Sequence, residues 1–104
     1  MGDVVTIMIS NDTGYGCRFE ADTNGNSAVI KVWERLPNGK FGPLQKHGGI
    51  YVGDIVLSIN DTFVDSMPHA DTMSLINDRN ILKKVFKIMN SGEYYRRRLV
   101  GFFH

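Results

Sequence analysis

The chain has 104 residues, 42% hydrophobic and 22% charged, which fits one globular domain with a single modest core rather than a disordered segment. Twelve Lys and Arg against eleven Asp and Glu leave a net charge of +1, so there is no electrostatic case for nucleic acid, and the single cysteine, Cys17, excludes an internal disulfide and a cysteine-based zinc site. No apolar run approaches the roughly 18 residues of a membrane span and no basic-then-apolar signal opens the chain. The expectation is an intracellular protein or an excised domain, cytoplasmic, reaching the inner membrane surface through partners.

Val4 to Ile9 is rich in β-branched residues and reads as a strand, ended by Ser10-Asn11-Asp12-Thr13-Gly14. Gly14-Tyr15-Gly16-Cys17 is a glycine-bracketed turn entering a second strand, Tyr15 to Glu20, whose alternate residues are Tyr15, Cys17 and Phe19. Glycines let successive amides point the same way without a Cβ in front of an anion, and a strand edge beside them can pair with an extended peptide. A Gly-x-Gly by itself more often marks a hairpin or close backbone packing, so the rest of the chain has to carry the anion reading.

After the turn 22–27, Ala28 to Glu34 reads as a third strand, and Gly42 to Gly48 as a short helix stopped by glycine. Val52-Gly53-Asp54 makes a turn before a β-rich strand ending at Asn60-Asp61, and Phe63-Val64 is a very short strand. Pro68 suits the start of a helix running to about Asn77, with Asp71 in its first turn. Ala70, Met73 and Ile76 line one side of that helix and Thr72 with Leu75 another, and Lys83 to Met89 is a final strand presenting Val85 and Ile88. Five or six short strands with two helices predict an α+β fold, a partly open barrel or sandwich. The two Asn-Asp-Thr triplets, at Asn11 and Asn60, read as turns rather than glycosylation sites.

The order of these motifs resembles a PDZ domain over about residues 4–90. Gly14-Tyr15-Gly16-Cys17 stands where that family has its Gly-Leu-Gly-Phe loop, and Gly42-Pro43 with Gly48-Gly49-Ile50 is similar to its first-helix segment. Val52-Gly53-Asp54-Ile55-Val56-Leu57-Ser58-Ile59-Asn60 is similar to its Val-Gly-Asp-x-Ile-Leu-x-Val-Asn signature, and His69 to Ile76 resembles its second helix. The resemblance implies a non-enzymatic adaptor, monomeric as an isolated domain and needing no cofactor, that binds the C-terminal peptides of partner proteins. Amides of Tyr15, Gly16 and Cys17 would hold the terminal carboxylate. Tyr15, Cys17, Phe19, Met73 and Ile76 would line the pocket for the last side chain, His69 would accept a hydrogen bond from serine or threonine two residues earlier, and Arg18 would touch intervening ligand side chains. Two departures stand out: Cys17 replaces a larger apolar residue, and Ser10, Asn11 and Asp12 occupy the stretch where many members carry a cation, so weaker anion attraction is expected.

Other readings compete. Cys17 and His69 could pair as nucleophile and base of a hydrolase, but no third orienting residue is visible. His47, His69 and His104 lack metal-ligand spacing. Residues 92–104, set apart from a domain at 1–91, hold Glu93 against Arg96, Arg97 and Arg98 among aromatics. They read as a tail packing on the domain, as the start of a following segment, or as a contact for anionic lipid, for which three arginines fall short of a persuasive patch.

Overall fold

The structure, a computed structural model, describes residues 4–99. Residues 100–104, which include His104 and the aromatic end of the basic segment, lie outside the described residues, as do residues 1–3. Among the described residues the order is β1 (Val5–Ser10), β2 (Cys17–Glu20), β3 (Val29–Trp33), α1 (Pro43–His47), β4 (Asp54–Ile59), β5 (Thr62–Phe63), α2 (His69–Ile76), β6 (Lys83–Asn90) and α3 (Ser91–Leu99). All pairings are antiparallel, in the order β1-β6-β4-β3-β2 with β5 on β4. The expected α+β class is the observed one, with a third helix added.

Every residue of β4 is buried, because the strand has cover on both faces. Val56 and Ile59 join Ile9, Ile30, Leu44, Phe86 and Ile88 in the main core, whereas Ile55 and Leu57 turn the other way onto Met89 and Tyr94. Tyr94, on α3, is fully buried, so the second face of β4 is roofed by residues read from sequence as a tail, a following segment or a lipid contact. The start of α3 is set by Asn90, whose Oδ1 accepts the Glu93 N–H at 3.0 Å in the N-cap pattern. Asn90-Ser91-Gly92-Glu93 is the capping spacing that could have revealed this helix in the sequence.

Two register details differ from the sequence reading. In β6 the inward residues are Lys84, Phe86 and Ile88, while Val85 is half-buried opposite the exposed Met8. In α2 the covered face is His69, Thr72, Met73 and Ile76, at helical spacing, and Ala70 faces solvent. Short apolar stretches leave the face ambiguous by one residue, and only pairing with β1 and β4 or packing on the core resolves it.

Candidate functional site

β2 is an edge strand that pairs, among the described residues, with β3 alone. Its other edge runs beside α2, and two sets of bonds hold the helix there. At the N-terminal end the His69 N–H donates to the Gly25 carbonyl at 3.0 Å and the His69 ring bonds the Ser27 carbonyl at 2.7 Å, both in the turn after β2. At the C-terminal end the Tyr15 hydroxyl, in the loop before β2, donates to the Ile76 carbonyl. The eight residues of α2 rise about 12 Å and the four of β2 span about 13 Å, so the fastened elements lie antiparallel along matched lengths. Between them the edge of β2 that faces α2 has no strand partner among the described residues, which leaves a candidate groove.

The loop at its closed end depends on one glycine. Gly16 has φ of +76° and its Cα meets Gly42 so closely that a Cβ there would lie 2.5 Å from the Gly42 Cα. The approach is reciprocal, since a Cβ on Gly42 would lie 2.5 Å from the Tyr15 carbonyl oxygen. With the Glu34 N–H bonded to the Gly16 carbonyl at 2.9 Å, the loop is clamped from two sides.

The residues predicted from sequence lie on β2, on α2 and in the loop before β2, in distinct surroundings. Tyr15 is a bolt as well as a wall: its ring packs edge-on to Phe19 and Phe86, with centroids 6.2 and 5.6 Å apart, while its hydroxyl reaches α2. Cys17 and Phe19 are half-buried against the main core together with Met73, and Arg18 is exposed opposite Val32. Ile76 is fully buried, so it contributes to the floor rather than to an accessible wall. His69 is the first residue of α2. Since a carbonyl oxygen only accepts, its Nδ1 must carry the proton, and in the neutral ring Nε2 is left as an acceptor.

Burial, with a smaller contribution from Glu34, pushes the Cys17 thiol up to about 12, the opposite of what a thiolate nucleophile requires. The hydrolase reading requires a thiolate, which this environment disfavours. A group whose proton is held more tightly in the folded state supports stability below its unfolded pKa and loses that contribution as pH rises. Stability is thus expected to fall from about pH 9, the ordinary thiol value, towards 12. Tyr94 and Tyr95, each also pushed from 10.0 to about 12, chiefly by burial, add to the fall above pH 10. Melting temperatures across this range should decline from pH 9 in the native chain and from about pH 10 in Cys17→Ser; an unchanged onset would contradict the buried thiol.

His47 accepts the Gly49 N–H on Nδ1, and among the described residues no group of three His, Cys, Asp or Glu is placed to hold a metal ion. No described helix is long and apolar enough to cross a membrane. Arg96 and Arg97 both bond Glu93, whose carboxyl is drawn down to about 2, first by its bond to Arg96. Arg98 donates to the Tyr94 hydroxyl at 2.7 Å.

Sequence reasoning missed three contributors. Thr72 sits buried in the helix face, bonded to the Pro68 carbonyl. Asp22 organises the turn beyond β2 by accepting the Asn24 and Asn26 N–H groups, and takes the Tyr95 hydroxyl from α3 at 2.7 Å. Lys84, on β6, is turned inward and borders a cavity with residues 11–15; an inward lysine becomes recognisable only once the strand register is known.

No protein-family model matches the sequence, and no curated protein matches it. Among solved structures the chain is similar to MUPP1 PDZ4, at 22% identity over 86% of this chain and 76% of that one, with a TM-score of 0.64. It is also similar to the Dlg1 PDZ3 of the choanoflagellate Monosiga brevicollis, at 15% identity over 92% of this chain and 95% of that one, with a TM-score of 0.67. By this likeness over most of its length, the chain has the PDZ fold.

Proposed function

We propose that this domain binds the C-terminal peptides of partner proteins by adding them as a strand to β2, as one module of a scaffold or adaptor. The observation that carries this reading is the edge of β2 facing α2, closed at one end by the Tyr15-Gly16-Cys17 loop. A peptide running antiparallel to β2 brings its terminal carboxylate to that loop, where backbone amides hold it by charge-assisted hydrogen bonds. Main-chain pairing supplies generic affinity, and the surfaces of Cys17, Phe19 and Met73 select an apolar last side chain. Ordering a flexible peptide offsets much of this, so dissociation constants of about micromolar are expected.

The protonated Nδ1 of His69 supports a preference for serine or threonine two residues before the end, because Nε2 can accept the ligand hydroxyl. Anionic lipid contact through Arg96, Arg97 and Arg98 is the lesser reading, since these guanidinium groups already bond Glu93 and Tyr94.

The test is calorimetric titration of one Thr-x-apolar peptide as free acid, as C-terminal amide, and with alanine for threonine. The amide should bind about a hundredfold more weakly than the acid, the scale of two charge-assisted hydrogen bonds. Equal affinity of acid and amide would remove the carboxylate mechanism. Loss of the hydroxyl should weaken binding roughly tenfold in the native chain and scarcely at all in His69→Ala. An unaltered hydroxyl preference in that variant would refute the role of His69 and leave the groove intact.

A further inference from the structure

Behind the loop lies a cavity of about 390 Å³ bounded by residues 11–15, by Ile76 and Asn77 at the end of α2, and by Arg79 and Lys84. Its walls are stitched together: Asn11 donates from its side chain to the Arg79 carbonyl at 2.7 Å and from its backbone to the Leu82 carbonyl at 2.9 Å. Lys84 stands opposite Ile9 on β1, and both are turned into the protein. Its side chain is only 2% exposed, and its Nζ donates to the Asp78 carbonyl at 2.9 Å. Burial pulls its pKa below the ordinary lysine value, against a smaller opposing effect of Asp78.

A buried ammonium is costly unless something repays its lost hydration, and one carbonyl satisfies one of its three donors. An apolar residue would extend the inward row of Phe86 and Ile88 without that cost. The cavity it borders shares Gly14 and Tyr15 with the loop at the groove's end. The stretch before the loop, Ser10-Asn11-Asp12, contains no cation, so a partner's carboxylate arriving there finds its positive charge elsewhere. Arg79 also borders the cavity, but it is exposed, and its charge is screened by solvent.

We infer that Lys84, from the buried side of the β1–β2 loop, supplies the positive charge that attracts and holds a partner's terminal carboxylate, acting across the cavity through water. The inference rests on the peptide-binding reading above, and it names the cation of that same end-stop. Lys84 is a positioning charge set by the fold, on a strand far in sequence from the loop it serves. The carboxylate in turn adds a second counter-charge to the one Asp78 already provides.

The experiment compares the acid-to-amide affinity ratio of one apolar-ended peptide in the native chain, in Lys84→Met and in Lys87→Met. Lys87 is an exposed lysine on the outward face of the same strand, so its removal controls for net charge. Lys84→Met should lower the ratio about tenfold by weakening the acid while leaving the amide unchanged, and Lys87→Met should leave the ratio as it was. A native chain that fails to distinguish acid from amide overturns the peptide reading and this inference together. A native preference that survives in Lys84→Met overturns the role of Lys84 alone.

A second measurement needs no substitution. Carbon NMR titration of the Lys84 Cε in the native chain should show its pKa rising when the acid peptide is bound and not when the amide is bound. Asp12, Tyr15 and Arg79, which border the cavity, and Asp78, which faces the ammonium, are present in both complexes, so their effects cancel in the comparison. An equal pKa in the two complexes would overturn the inference.

Discussion

Gly16→Ala is expected to lower the unfolding free energy by about 3 kcal/mol or more and to abolish binding of carboxylate-ended peptides. Two penalties combine at this position. A left-handed φ of +76° disfavours any side chain by about 1–2 kcal/mol, and the added Cβ would meet the Gly42 backbone at 2.5 Å. Neither neighbour is a flexible side chain that could swing away, so the loop itself must move, and with it the amides proposed to hold the carboxylate. Gly25 offers the control: its φ is +81°, but a Cβ there meets nothing within 4 Å. Gly25→Ala should cost about 1 kcal/mol and leave the loop undisturbed. Urea unfolding of both variants separates conformational strain from steric clash. Equal destabilisation would mean that the close approach of Gly16 and Gly42 does not exist in solution.

Tyr94→Ala is expected to cost about 3–5 kcal/mol, a large share of the stability of a domain of this size. Its ring is fully buried against Ile55, Leu57 and Met89, and Tyr95 packs edge-on to it at 5.0 Å. The hydroxyl donates to Asp65 at 2.6 Å and accepts from Arg98, so Tyr94→Phe should cost a smaller amount, about 1–3 kcal/mol. The difference between the two variants in urea unfolding isolates the packing of α3 from its polar anchor. A loss below about 1 kcal/mol for Tyr94→Ala would show that α3 does not cover β4, and residues 91–99 would then be a tail in fact.

Most strand and helix positions were legible because their signals are local. The αL cap at Gly48, Pro68 before α2 and the β-branched run of β4 each act through neighbouring residues, and each element appears within a residue or two of its expected bounds. The α3 helix escaped because its composition is dominated by charge; the Asn90 cap is local, but the burial of Tyr94 depends on a face of β4 some 40 positions earlier. The face of β6 escaped for a similar reason. Lys84 and Val85 are both plausible inward residues until the pairing with Ile9 and Met8 is known.

By itself the sequence determined the kind of fold and the ingredients of its candidate site. Glycines at 14 and 16, the strand after them and a histidine opening a helix are encoded in local conformational preference and in spacing, which need no partner to be read. Only the tertiary structure decided how those ingredients engage. It fastened Tyr15 to α2 through its hydroxyl, used the Ser27 carbonyl to choose the proton-bearing nitrogen of His69, and brought Lys84 beside a loop that lies about 70 residues away in the chain. Such relations depend on which strands pair and in which register. Those are set by the burial of the whole core, and no short stretch of sequence contains them.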